Sequence, residues 1–110
     1  MSIFQKFWYN KFMEDKEIIL EQSMAELAKT LATVNDRELL RDFLKALLTP
    51  QEYNAVAARW ALVRLLDQGM TQRKIAETLG LSLCKITRGS REMKKEESSF
   101  RKMIDICKSL

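Results

Sequence analysis

Basic side chains that can bind phosphate are concentrated in one short segment of the chain. Between Gly69 and Lys95, seven lysines and arginines stand against two glutamates, so this segment carries a net charge of +5. The whole chain of 110 residues carries +4, and the remaining residues therefore sum to −1. A basic cluster within a folded pattern is the electrostatic footprint of a nucleic-acid-binding face. The charge indicates a polyanionic partner for this segment.

The same segment has the residue pattern of a DNA-binding helix-turn-helix over residues 71–94. Counting from Gln72, the fifth position needs a small residue where the two helices touch, and Ala76 supplies it. The ninth position needs a residue that adopts a left-handed backbone, and Gly80 supplies that. Four further positions need apolar residues, and all are present: Ile75, Leu79, Leu81 and Ile86. The pattern predicts a recognition helix over about 83–94 that enters the major groove by its amino-terminal end.

Side chains at the start of each helix of this pair are the candidates for DNA contact. Gln72 and Arg73 open the first helix, where amide and guanidinium groups reach a phosphate or a base edge. Arginine is the usual partner of guanine O6 and N7. Five residues of the recognition helix complete the predicted interface: Leu83, Cys84, Lys85, Thr87 and Lys94. The last two are expected to bind phosphate, which gives affinity rather than sequence choice.

A glycine inside the predicted recognition helix needs a reason. Gly89 occupies a position that is usually apolar in a helix-turn-helix. A glycine there costs about 0.5–1 kcal/mol relative to alanine. One interpretation is that the missing side chain leaves a slot on the inner face of the helix, beside Arg88. The alternative is a tolerated glycine without a function.

Composition disfavours several kinds of chemistry. The chain has no histidine, which removes the commonest general base and the commonest metal ligand. Cys84 and Cys107 stand 23 residues apart with no CxxC spacing, so two reduced thiols and no metal site are expected. Paired acids and a phosphate-binding loop are missing from the sequence, so no catalytic residue is predicted. No apolar run approaches the ~18 residues of a membrane span. We therefore expect a cytoplasmic protein that is neither an enzyme nor a membrane partner.

The amino-terminal half of the chain predicts a long helix and a second, leucine-rich one. Residues 1–13 hold five of the nine aromatic residues and are expected to form an arm that packs on a hydrophobic surface. Apolar residues then recur at steps of four and three over about 14–34, which is helical spacing. Asp36 caps the second helix, whose leucines cover more than one face, so burial on several sides is expected. Residues 14–68, which include a third helix, form the predicted dimerisation core.

The start of the third helix is a strong local signal. Thr49 is followed by a proline at the first helical position and by Glu52 at the third, which is a capping box with a proline start. This helix runs to about Asp67, and a sixth helix over about 97–109 completes a single all-α domain, residues 1–110. The long first helix and the leucine-rich second helix have more apolar surface than a single six-helix chain can bury. We therefore expect a homodimer. A monomeric bundle is the alternative.

Three stretches of the chain resemble the bacterial tryptophan repressor family: ITRGS, LLTP and GMTQR. The resemblance covers roughly 47–94 in sequence and nearly the whole chain in helix order. It implies an intertwined homodimer of six-helix chains that binds a palindromic double-stranded operator when L-tryptophan is bound. In the family the flat indole lies between two arginines, and a glycine of the recognition helix gives it room. The matching positions here are Arg59, Arg88 and Gly89.

The resemblance also implies the rest of a corepressor pocket. One arginine binds the ligand carboxylate in a charge-assisted contact, and Thr49 matches the family's threonine at the pocket edge. Backbone carbonyls near Ala46 and Leu48 of the other subunit take the ammonium group. Glu92 stands where the family has a serine near that ammonium. It either strengthens ammonium binding or disturbs the pocket.

The sequence therefore predicts a transcriptional repressor that uses L-tryptophan as corepressor to control genes of tryptophan biosynthesis or uptake. The ligand would set the two reading heads, the helix-turn-helix of each subunit, about one helical turn of DNA apart, roughly 34 Å. It does so only if it binds that arrangement better than the others. One alternative is a related DNA-binding regulator that responds to another ligand or to none. The other is a protein-interaction module without DNA binding, built on the aromatic arm and the leucine-rich helices.

Overall fold

The computed structural model describes residues 2–110, apart from the side chains of Phe4, Phe7, Trp8, Tyr9 and Phe12. Within that range the chain forms helices and no strand, so the all-α class is confirmed. The elements are α1 Ile3–Thr33, α2 Arg37–Leu47, α3 Pro50–Asp67, α4 Gln72–Leu79, α5 Leu83–Lys94 and α6 Ser99–Lys108. The predicted packing of the aromatic arm concerns side chains outside the described ones and stays a prediction.

Contacts between residues divide the chain into two units, of which the first ends at Leu44 and the second begins at Lys45. The first unit holds α1 and most of α2. The second holds the end of α2 and the four helices that follow, α3 to α6. Every residue predicted to contact DNA or ligand belongs to the second unit.

Helix α1 begins earlier than the sequence analysis predicts. The Ser2 hydroxyl accepts a hydrogen bond from the Gln5 N–H at 3.1 Å, and Gln5 Oε1 accepts one from the Ser2 N–H at 2.9 Å. This capping box satisfies two N–H groups that a helix start otherwise leaves unpaired. The helix therefore starts at Ile3 rather than near Glu14. The backbone of the predicted arm is therefore helical from Ile3 and continuous with the first helix.

Helix α2 is capped as predicted but is not buried. Asp36 Oδ1 accepts hydrogen bonds from the N–H groups of Glu38 and Leu39, both at 3.1 Å. No residue of α2 is buried, and Leu39 and Leu47 are each more than half exposed. Leu40 and Leu44 are partly buried in the single chain, and the expected burial of this helix on several sides, which involves a second copy, stays a prediction.

Helices α3 to α6 pack around one small core. Five side chains of this core are at most 3% exposed: Leu62, Val63, Ile75, Ile86 and Ile104. Two of them come from α3, and α4, α5 and α6 each contribute one isoleucine. The partly buried residues around them include Ala76, Leu79 and Leu81. The apolar positions predicted from the helix-turn-helix pattern therefore all face this core.

A tight turn joins α4 to α5. The hydroxyl of Thr71 caps α4 by accepting from the Lys74 N–H at 3.2 Å, and Ser82 caps α5 by accepting from the Lys85 N–H at 3.4 Å. Between them Gly80 has φ +66° and ψ +30°, the left-handed conformation that residues with a side chain rarely adopt. Local chemistry thus sets both ends of the turn.

One carboxylate ties α6 to the end of α3. Asp67 Oδ1 accepts a hydrogen bond from Arg101 Nη1 at 2.6 Å, and Lys108 Nζ lies 3.3 Å from Asp67 Oδ2. Arg64 of α3 adds a third cation at 3.8 Å. The hydrogen bond from Arg101 holds the pKa of Asp67 below its ordinary value. This cluster fixes α6 against α3, on which the core of the second unit depends.

Candidate functional site

Helix α5 carries residues of both predicted sites, and its buried residues define its faces. Ile86 and Gly89 face the core. At about 3.6 residues per turn, the outward positions fall on two sides of the helix. We call these the Thr87 side, made of Leu83, Thr87, Arg91 and Lys94, and the Arg88 side, made of Lys85, Arg88 and Glu92. Lys85, predicted to bind DNA, therefore shares a side with the predicted ligand residues Arg88 and Glu92.

The outward surface of α5 between these two sides is open to solvent, and its residues all belong to α5 or to its C-cap Lys95. Leu83 and Cys84 lie at its amino-terminal end, and the thiol of Cys84 is exposed. Further along the helix, it combines three cations with one carboxylate: Arg88, Arg91, Lys95 and Glu92. The charges of this surface can attract an anion, or a zwitterion whose ammonium group meets the carboxylate.

The start of α4 meets the middle of α5 on the Thr87 side. The Thr87 hydroxyl donates a hydrogen bond to Gln72 Oε1 at 3.4 Å, which brings together two residues predicted to contact DNA. Arg73, next to Gln72, is exposed. The other predicted DNA contacts on α5 are exposed too: Leu83, Cys84, Lys85 and Lys94. The basic segment thus presents its charge on the outer faces of two adjoining helices.

The Gly89 position is explained by the packing of α3 on α5. An added Cβ at Gly89 would collide with Cδ2 of Leu62. The space that the missing side chain leaves is therefore filled by Leu62 in this structure. A slot at this position is predictable from the glycine, but the residue that fills it depends on where α3 crosses α5.

The two predicted ligand arginines lie next to this contact between Leu62 and Gly89. Arg59 precedes Leu62 by three residues on α3, which places both on the same side of that helix, and Arg88 adjoins Gly89 on α5. Both arginines are exposed. Within the described part of the chain neither forms an ion pair or a side-chain hydrogen bond. Both guanidinium groups therefore have donors free for an external ligand.

The remaining predicted pocket residues lie at the junction of α2 and α3. Thr49 Oγ1 accepts from the Glu52 N–H at 3.1 Å, and Glu52 Oε1 accepts from the Thr49 N–H at 2.9 Å. The latter bond holds the pKa of Glu52 below its ordinary value. Ala46 lies in the last turn of α2 and Leu48 just beyond it. The last carbonyls of a helix lack intrahelical donors, so this turn offers acceptors for an ammonium group.

Glu92 already has a cationic partner. Lys95 Nζ lies 2.7 Å from Glu92 Oε1, and the two side chains are 63% and 40% exposed. An ion pair this exposed is weak, so a ligand ammonium can displace the lysine.

The described residues offer neither a metal site nor a membrane-spanning helix. They hold no group of three or more histidines, cysteines or acids close enough together for a metal ion. None of their helices is both long and apolar enough to cross a membrane.

The chain is similar to known proteins along most of its length. Residues 22–107 match the family model described as Trp repressor protein. A Trp operon repressor homolog of Chlamydia trachomatis serovar L2 is 35% identical over 86 residues, which cover 76% of this chain and 92% of the relative. The homolog of Actinobacillus succinogenes is 40% identical over 73 residues, which cover 66% and 72% of the two chains. No solved structure matches the chain. Because the family match extends from α1 into α6 and includes all of α2 to α5, the chain belongs to the Trp repressor family.

Proposed function

We propose that this chain is a transcriptional repressor that binds double-stranded operator DNA through α4 and α5, with L-tryptophan as its corepressor. Its family consists of regulators rather than enzymes. The observation that carries the proposal is the pair α4 and α5. Both helices are capped at their starts, the turn between them needs a left-handed glycine, and each buries one isoleucine in the core. The same two helices turn a basic face outward.

DNA binding follows from the orientation of this pair, which acts as a helix-turn-helix. The first turn of α5 is exposed and enters the major groove, where Leu83, Cys84 and Lys85 reach the bases. Gln72 and Arg73 at the start of α4 contact the phosphate backbone or a base edge beside it. The hydrogen bond between Thr87 and Gln72 keeps the two helix faces in register.

The exposed apolar faces of α1 and α2 support an intertwined homodimer. Leu20 and Met24 of α1 and Leu39 of α2 are each more than half exposed. Most helical stability in proteins comes from packing an apolar face rather than from intrinsic propensity. These two helices therefore need a partner, and a second copy that exchanges the same faces supplies it. A two-fold dimer presents two reading heads, which requires a palindromic operator.

The corepressor binds beside the contact between Leu62 and Gly89. A guanidinium group stacks on aromatic faces and binds carboxylates with two parallel bonds. Arg59 and Arg88 supply these contacts to the indole and the carboxylate of L-tryptophan. The carbonyls near Ala46 and Leu48 of the second copy take the ammonium group. Thr49 lines the edge of the pocket, where its oxygen is already engaged in capping α3.

Ligand binding controls the spacing of the two reading heads by shifting the protein towards one of its conformational states. L-tryptophan wedged between α3 and α5 restricts the tilt of α5 against the core. It favours the state in which the two recognition helices lie about one helical turn apart, roughly 34 Å. The shift is only as large as the difference in ligand affinity between that state and the others.

Protection of the two cysteines from alkylation tests the DNA face. An operator is first selected from random duplex DNA with the protein and L-tryptophan. The complex is then treated with N-ethylmaleimide. Cys84 lies on the proposed face and should be protected by the operator, whereas Cys107 of α6 is an internal control whose rate should stay unchanged. Equal alkylation of Cys84 with and without bound operator would refute the docking of α5.

The second candidate function is a regulator that responds to another ligand. Glu92 favours it, because the family has a serine at this position near the ligand's ammonium group. Calorimetric titration with L-tryptophan and with indole-3-propionate, which lacks the amino group, separates the two. One saturable tryptophan site per chain, lost in Arg59→Ala, supports the proposed pocket. A folded dimer that does not bind tryptophan removes it as the signal and leaves the DNA face untouched.

A further inference from the structure

Arg91 is an α5 cation outside the predicted DNA interface. It follows Thr87 by four residues, so it lies on the Thr87 side about 6 Å further along the helix. Its side chain is exposed and belongs to the same outward surface of α5 as Leu83 and Thr87. Arg91 thus lies between two predicted DNA contacts on the same side of the helix, Thr87 and Lys94.

No carboxylate neutralises Arg91 among the residues that the structure describes. Glu92, the only acid of α5, pairs with Lys95 at 2.7 Å. Arg88 and Lys94 lie three residues away on either side, and like charges at this spacing destabilise a helix. The helix macrodipole favours cations in the last turn. It does not, however, favour the Thr87 side over any other, so the placement of Arg91 needs a separate reason.

Distance along α5 decides which part of DNA Arg91 meets. Arg91 lies eight residues beyond Leu83, which is about 12 Å along the helix axis. The major groove is about 8.5 Å deep. With the first turn of α5 at the bases, Arg91 is at the level of the phosphates.

We propose that Arg91 binds the phosphate backbone of the operator at the edge of the groove that α5 enters. This inference rests on the proposed function. A phosphate contact adds affinity without sequence preference. Arg91 therefore contributes equally to the binding of a matched operator and of unrelated DNA.

The salt dependence of DNA binding tests this role. Affinity of the full-length protein for a selected operator is measured by fluorescence anisotropy over a series of potassium chloride concentrations, with L-tryptophan present. Each phosphate contact contributes about 0.9 to the slope of log affinity against log salt. A dimer holds two copies of Arg91, so Arg91→Gln should reduce the slope by about 1.8. Arg91→Lys retains the charge and should restore most of it.

Lys102→Gln is the matched control. Lys102 is an exposed cation of α6 paired with Glu97 at 2.8 Å, and its loss removes the same charge away from α5. This variant should keep the parent slope. The ratio of operator affinity to unrelated-DNA affinity should be the same in Arg91→Gln and in the parent.

Each adverse outcome has a distinct meaning. An Arg91→Gln slope equal to that of Lys102→Gln overturns the phosphate contact, and so does a changed affinity ratio, which would make Arg91 a reader of bases. In both cases operator binding by the parent leaves the proposed function standing. A folded parent that binds no DNA overturns both together.

Discussion

Replacing Gly89 with alanine tests why a glycine stands inside α5. Two explanations make opposite predictions. If the position makes room for Leu62, the added methyl group strains the contact between α3 and α5, and the free protein loses stability. If the position serves only the ligand, the methyl group removes tryptophan binding and leaves the free protein as stable or more stable.

The structure gives the size of the effect. The added Cβ collides only with the end of the Leu62 side chain, while Leu62 Cγ and Leu66 Cδ1 would lie at ordinary contact distances of 3.8 and 3.9 Å. Overpacking a core costs about 1–3 kcal/mol, and Leu62 has little room to move because it is 3% exposed. Removing a glycine from a helix interior returns about 0.5–1 kcal/mol. We expect a net loss in the free energy of unfolding of about 1 kcal/mol.

A second substitution reverses the sign of this effect. Leu62→Ala by itself should cost about 2–5 kcal/mol, the usual range for a buried leucine. It also vacates the space that the Gly89→Ala methyl group enters. In the Leu62→Ala background, Gly89→Ala should therefore stabilise the protein by about 0.5–1 kcal/mol, the helix propensity alone.

Urea unfolding of the four proteins, followed by circular dichroism, measures both effects. The protein concentration must be equal and fixed, because the stability of a dimer depends on it. Tryptophan is left out, so that ligand binding does not contribute. Gly89→Ala changing stability by the same amount in both backgrounds would refute the contact with Leu62.

Two further predictions concern the ends of α3. Thr49→Ala should lower the free energy of unfolding by about 1 kcal/mol, since it removes the cap that accepts from the Glu52 N–H. Thr49→Ser keeps the hydroxyl and should cost little; an equal loss in both variants would contradict the capping role. Arg101 lowers the pKa of Asp67, so this carboxylate stabilises the fold fully above its unfolded pKa of about 3.9. That contribution is lost as pH falls through the lowered folded pKa, so the stability deficit of Asp67→Asn should shrink in acid; urea titrations showing a constant deficit would contradict it.

Local chemistry explains why the sequence predicted much of the second unit. The caps at Thr49, Thr71 and Ser82 each involve an N–H three residues away, and Gly80 terminates α4 by its own conformation. Such signals lie within one helical turn and can be recognised in any short window. The start of α1 carries the same kind of signal, since Ser2 is followed three residues later by Gln5, its partner in the capping box.

Contacts distant in sequence were beyond such reasoning. The carboxylate of Asp67 and the guanidinium of Arg101 are 34 residues apart, and no periodicity links them. Gly89 predicted a slot on the inner face of α5. That Leu62 fills this slot follows from where α3 and α5 cross, which the sequence does not show. The sharing of one side of α5 by Lys85 and Arg88, in contrast, follows from helical spacing alone.

The core of the second unit has a consequence for how damage spreads through this protein. Its five side chains come from four helices. No single helix contributes enough buried side chains to keep the core folded without the other three. Shortening Ile104, which is fully buried on α6, creates a cavity in the core to which α3, α4 and α5 also contribute side chains. Inactivating alleles should therefore arise in α6 about as readily as in α5. A genetic screen that equates lost repression with lost contact to DNA would misassign them.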